Sequence, residues 1–120
     1  MSKFLIHIHT GPDNPTKAAL GFLVALSALK EGHGVDLFLA GDGASLIGDA
    51  AHSSVEGKGT GNLGTHYKAL AEGGARFYVS GMSAKARGLS EADLAGKPAE
   101  FAMPDVLVKL AAVADVVLTY

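Results

Sequence analysis

Short apolar runs and longer helical segments take turns along this chain. Phe4-Leu5-Ile6-His7-Ile8, Val35-Asp36-Leu37-Phe38-Leu39-Ala40, Arg76-Phe77-Tyr78-Val79-Ser80, Ala99 to Ala102 and Asp115-Val116-Val117-Leu118-Thr119 have the length and branching of buried strands. Between the first two lies a segment over residues 16–31, with Leu20, Leu23, Val24 and Phe22, Leu26, Leu29 at helical spacing. Asn14 or Asp13 can cap it, Pro15 suits its first turn, and Lys30-Glu31-Gly32 ends it. Further helices are predicted over about 44–51, 62–73, 83–88 and 104–113, the last opened by Met103-Pro104. Ser90-x-x-Asp93 has the pattern of a capping box, with Asp in place of Glu or Gln. Residues 52–61 are polar and rich in glycine, without periodicity, which predicts an exposed and mobile loop.

Strands that alternate with helices imply a parallel sheet, because each parallel connection needs a crossover. The expected fold is a three-layer α/β/α sandwich around a mostly parallel five-stranded sheet, in a single domain over residues 1–120. At 120 residues the chain can bury a core without crosslinks.

Composition excludes several functions. There is no cysteine, so disulfides, thiolate metal sites, iron–sulfur clusters and a cysteine nucleophile are all ruled out. Ten Lys and Arg against twelve Asp and Glu give a net charge of −2, without the basic footprint of a nucleic-acid binder. No apolar run approaches the roughly 18 residues of a membrane span. The apolar stretch from Phe4, interrupted by histidines, is no signal-peptide core, and Asn14-Pro15-Thr16 is no glycan acceptor. A cytoplasmic location is expected, with contact to neither nucleic acid nor membrane.

In an open parallel sheet ligands sit beyond the carboxyl ends of the strands. Those ends carry His9-Thr10-Gly11, Gly41-Asp42-Gly43, Ser80-Gly81-Met82-Ser83 and Thr119-Tyr120, and the 52–61 loop leaves from the same edge, where it can serve as a lid. The expected ligand-binding set is therefore His9, Thr10, Gly11, Asp42, Gly43, Ser80, Gly81, Ser83 and Arg87. Arg87 and Lys85 would attract an anion there, although a solvated helix face explains both as well.

Other motifs carry less. Gly59-Thr60-Gly61-Asn62-Leu63-Gly64 matches G-x-G-x-x-G, but it follows a polar loop and no acidic residue stands about 20 positions on. Gly57-Lys58-Gly59-Thr60 fails the phosphate-loop pattern, because His52 holds the place of its leading glycine and Gly59 follows the lysine. His7 and His9 share one face of a strand and can share a metal, yet spacing supplies no third ligand, so neither a metal nor any other cofactor is expected. His9, at the strand end, is the better candidate for acid–base work. Ser80 with His9 would make a nucleophile and base if their strands were neighbours, with Asp42 assisting; that is the alternative reading, a hydrolase or transferase.

Several stretches together resemble the DsrE/DsrF-like (YchN-like) family. Phe4 to His9 with Thr10-Gly11-Pro12-Asp13 resembles its first strand and loop. Gly32-His33-Gly34-Val35-Asp36-Leu37-Phe38-Leu39 is similar to its "G-H-x-V-x-I-F" strand. Val79-Ser80-Gly81-Met82-Ser83-Ala84-Lys85-Ala86-Arg87-Gly88-Leu89 is similar to its "V-x-C-G-x-S-x-x-A-R-G" segment, and Ala114 to Tyr120 to its closing strand. The resemblance implies a small α/β/α protein that assembles into homo-oligomers, often trimers or hexamers. Some such proteins relay sulfur as a cysteine persulfide. Ser80 holds the place of the carrier cysteine, and a hydroxyl cannot form a persulfide. The resemblance thus implies a non-catalytic member, binding a small ligand or serving as partner subunit to a cysteine-bearing paralogue.

Overall fold

The computed structural model describes residues 1–120. The chain runs β1 (Lys3–Ile8), α1 (Pro15–Lys30), β2 (Gly34–Leu39), a 3₁₀ turn (Gly41–Ile47), α2 (Asp49–Ser54), β3 (Glu56–Gly57), β4 (Gly61–Asn62) and α3 (Leu63–Glu72). It continues through β5 (Arg76–Ser80), α4 (Gly81–Ala86), a second 3₁₀ turn (Glu91–Leu94), β6 (Ala99–Ala102), α5 (Pro104–Val113) and β7 (Val116–Thr119). Five strands form one sheet in the order β6-β5-β2-β1-β7, and every pairing in it is parallel. The sheet is layered between helices, as the alternation of elements predicts. No helix is long and apolar enough to cross a membrane.

Local signals set the helix ends. The Asn14 side chain accepts from the Lys17 N–H, and Pro15 fills the first turn of α1, where a missing N–H leaves nothing unpaired. Asn62 caps α3 in the same way through the Thr65 N–H. Ser90 and Asp93 form the reciprocal capping box ahead of the second 3₁₀ turn.

The two faces of the sheet are covered unequally. Ile6, Ile8, Leu37, Leu39, Phe77 and Val79 point to one side, where α1 to α4 pack over them in a cluster of 22 buried residues. Their strand neighbours Leu5 and Phe38 point to the other side, where with Ala102 they meet Val106, Leu107, Leu110 and Ala111 of α5. A single helix is too narrow to cover five strands, so polar residues remain on that face. Asp36 lies there with Lys3 Nζ at 3.9 Å. Burial raises the Asp36 carboxyl above its ordinary range, against the pull of Lys3 and Arg76.

Residues 52–61 differ from the expected mobile loop. They finish α2 and then form the antiparallel β3–β4 hairpin, which is seated on the start of α1. The Lys58 N–H donates to Thr16 Oγ1 at 3.0 Å, and the Thr60 hydroxyl donates to the Thr16 carbonyl at 2.9 Å. Gly57 is buried between Thr60 and Ala19, with no room for a Cβ. These bonds hold the segment against the start of α1.

Candidate functional site

At the carboxyl edge of the sheet, three connections press on one another. The β1–α1 loop meets the turn after β2 at Gly11, where a Cβ would stand 2.8 Å from the Asp42 Cβ and 2.9 Å from its carbonyl oxygen. Gly43 lies under the carbonyl of Ile8, again with no space for a side chain. Gly41 adopts φ +56°, a left-handed conformation that glycine enters without strain. Glycines at 11 and 43 thus allow a closeness of backbones that larger residues would prevent, while Gly41 is needed for its backbone conformation.

The segment after β5 is bonded to that turn. The Gly41 N–H donates to Ser83 Oγ at 2.8 Å. The Ser80 hydroxyl oxygen accepts from the Ser83 N–H at 3.2 Å and so caps α4. Arg87 reaches back, donating to the Ser83 carbonyl at 3.1 Å and pairing with Asp42 at 2.6 Å. Asp42, Ser80, Ser83 and Arg87, expected together on the basis of fold, are brought into one connected network. Because the Arg87 guanidinium is already engaged by a carboxylate, the network is internally neutralised. Asp42 is 65% exposed in this pair, so its contribution to stability is about 1 kcal/mol at most. Lys85 lies on the exposed side of α4.

His9 stands on the α5 side of the same edge. Its N–H donates to the Tyr120 carbonyl at 2.9 Å, while the Tyr120 N–H donates to the His7 carbonyl at 2.9 Å. The Cβ that Gly41 lacks would be 3.9 Å from the His9 Cβ. Thr10 is half-buried in the loop that follows. Gly81 borders a shallow hollow of about 370 Å³, lined further by Phe101, Ala102, Met103, Asp105 and Val106. This hollow adjoins Ser80 along the chain and is the concave, apolar feature of the strand-end region.

The pairing of Ser80 with His9 as nucleophile and base required β1 and β5 to be adjacent, and they are not. β2 lies between them. Ile8 pairs with Leu39 and Leu39 with Val79, so residues 9 and 80 flank Ala40 on opposite sides. Two strand spacings separate their backbones by roughly 10 Å. The Ser80 hydroxyl meets the backbone of α4 and no imidazole.

The glycine motif at 59–64 has packing roles. Gly61, at φ +84°, lies against the His66 ring, whose Nε2 is 2.7 Å from the Thr60 carbonyl. Gly64 is pressed on the carbonyl of His52.

Two features escaped sequence reasoning. Lys97 is only 10% exposed and donates to the carbonyls of Ile47 at 3.0 Å and Asp93 at 2.6 Å, with Asp49 at 2.9 Å. It ties both 3₁₀ turns to α2, and nothing in Gly96-Lys97-Pro98 distinguishes it from a surface lysine. Beside it, the His52 ring stacks on Tyr67 with centroids 4.3 Å apart. Burial pushes the His52 imidazole below its ordinary value, and the Lys97 charge adds to that. A second hollow of about 400 Å³ opens nearby between Pro12, Ser45, Asp49, Ser54, Leu89 and Asp93.

The comparisons with known proteins agree with this architecture. A sequence model described as the DsrE/DsrF-like family matches residues 2–120. The crystal structure of the ychN protein from E. coli superimposes with a TM-score of 0.81 at 19% identity, covering 100% of both chains. A conserved protein of unknown function from Bacteroides thetaiotaomicron superimposes with a TM-score of 0.67 at 13% identity, covering 98% of this chain and 94% of its own. At such identities the structural matches speak for the fold. No curated protein sequence matches.

Proposed function

The chain belongs to the DsrE/DsrF-like family, and from that premise we propose that it is a non-catalytic member that binds a small ligand or a partner subunit at its strand-end edge. It assembles with copies of itself in the cytoplasm and does not carry sulfur covalently. The observation behind this reading is the state of residue 80. Ser80, which the resemblance puts in the place of the family's cysteine, is 8% exposed and uses its oxygen to cap α4. The frame of the segment is kept around an atom that cannot form a persulfide.

The apolar hollow beside Gly81 supports ligand binding, since small-molecule sites are concave and lined mainly by hydrophobic side chains with few polar groups. Self-association is supported by α5. Its inner residues meet the sheet, yet Val108 and Val113 are 67% and 63% exposed, next in the chain to the exposed Val117 of β7. Val108 and Val113 flank the sheet-facing stripe of α5 on either side, so a copy packed beside the helix could cover them.

The test is incubation with a polysulfide donor followed by intact-mass measurement under non-reducing conditions. The unmodified mass is expected, and a stable gain of one sulfur atom would overturn the reading. Co-purification with a cysteine-bearing paralogue would assign the strand-end edge to a partner subunit, whereas a homo-oligomer isolated alone would assign it to a small ligand.

A further inference from the structure

On the sheet face that α5 only partly covers, His7 and His9 stand side by side. Their ring centroids are 5.5 Å apart with the planes at 75°. Position, rather than pairing, explains why they meet: residues two apart on a strand share a face. His9 is exposed and has room to turn. His7 is half-buried between His9 and Phe38, whose ring centroid is 6.0 Å away. The Nε2 of His7 is buried without a hydrogen-bond partner. A buried nitrogen left in that state costs about 1–3 kcal/mol, which a bound group would relieve.

We propose that His7 and His9 form a two-imidazole site for a divalent transition-metal ion, with copper(II) bound most tightly. Two imidazoles that share one ion at nitrogen–metal distances of about 2.0–2.1 Å have ring centroids about 4.5 Å apart at the near-90° cis angle of copper(II) and about 5 Å apart at a tetrahedral angle. The observed 5.5 Å is wider than either spacing, and chelation would require the exposed His9 ring to turn toward His7. Imidazole suits copper, nickel and zinc, and the affinity order for such sites peaks at copper. Thr119 pairs with His7 in register and is exposed, so its hydroxyl and water are the groups at hand to complete the shell. No third His or carboxylate converges on the pair. A site with two protein ligands leaves coordination positions open to an exogenous ligand, which is the condition for binding a small anion or a thiol through the metal.

The site is independent of residue 80 and is tested separately. Untagged protein is titrated with copper(II) and followed by electron paramagnetic resonance, and zinc(II) is followed by calorimetry. The expected result is one copper per chain with splitting from two nitrogens, and at least a tenfold loss of affinity in His9→Gln. His9 is exposed, so that variant keeps the fold; His7→Gln should lose at least as much. His33→Gln and His66→Gln should bind as the parent does. Copper binding that survives the double variant His7→Gln/His9→Gln, or that falls instead with His33 or His66, would overturn the proposal.

Discussion

Replacing Ser80 with cysteine asks what the strand-end frame does to a thiol. The Ser83 N–H, now 3.2 Å from the serine oxygen, would face the sulfur. A hydrogen bond to a charged acceptor contributes about 1.5–3 kcal/mol, whereas the same bond to a neutral thiol is weak. At 1.36 kcal/mol per unit, that difference lowers a pKa by about 1–2 units. Residue 80 is 8% exposed, and burial works in the opposite direction by disfavouring the thiolate. The capping N–H is expected to outweigh burial, so the thiol of Ser80→Cys titrates below the ordinary value of about 8.5. The assay is the rate of alkylation by iodoacetamide as a function of pH, with the mass confirming one adduct. Persulfide formation with a polysulfide donor should appear in this variant and be absent from the parent. A thiol that titrates at or above about 8.5 would refute the claim that the capping N–H activates this position.

Four further results are expected. Gly43→Ala drives a methyl group against the Ile8 carbonyl and should cost about 1–3 kcal/mol in urea unfolding, whereas Gly34→Ala, which meets only the tip of Met1, should be neutral or add up to about 1 kcal/mol; equal effects would contradict the close approach. Lys97→Met leaves the Ile47 and Asp93 carbonyls without their donor and should cost roughly 2–3 kcal/mol, with no loss in urea unfolding counting against its clamping role. His52 and His7 are both held below their ordinary 6.5, chiefly by burial, so the unfolded chain binds their protons more tightly and stability falls as pH drops below about 6.5; His52→Gln should shrink the difference between unfolding midpoints at pH 7.5 and pH 5, and an unchanged difference would assign the loss elsewhere. Val108→Glu with Val113→Glu should lower the solution mass seen by light scattering, and an unchanged mass would remove α5 from the interface.

Much of the fold was legible because its signals are local. Apolar runs, the Asn14 cap with Pro15, the Ser90–Asp93 box and Met103-Pro104 each report on a few neighbouring residues, and most elements fall within a few residues of their expected bounds; the helix expected over about 44–51 is instead broken at the extended Gly48 into the 3₁₀ turn Gly41–Ile47 and α2 Asp49–Ser54. Strand order is a different kind of information. The same alternation of elements fits several orders, so nothing local reveals that β2 separates β1 from β5. That one fact keeps Ser80 away from His9. The hairpin at 56–62 was hidden for a related reason. Thr16, more than forty positions away, supplies the bonds that order it, so a polar composition looked like freedom. At the strand ends, choosing residues by fold drew together Asp42, Ser80, Ser83 and Arg87, but could not foresee that Arg87 would be spent on Asp42.

The last crossover also bears on how the molecule comes into being. β1 is the first strand made, yet one of its edges and half of its Leu5–Phe38 face wait for residues 104–119. A nascent chain halted before then would show the cell an unzipped strand edge and bare leucine and phenylalanine, the features that recruit chaperones and seed aggregates. Stalling at any point before α5 is made leaves that edge and face bare, so uninterrupted synthesis through to β7 should favour soluble yield.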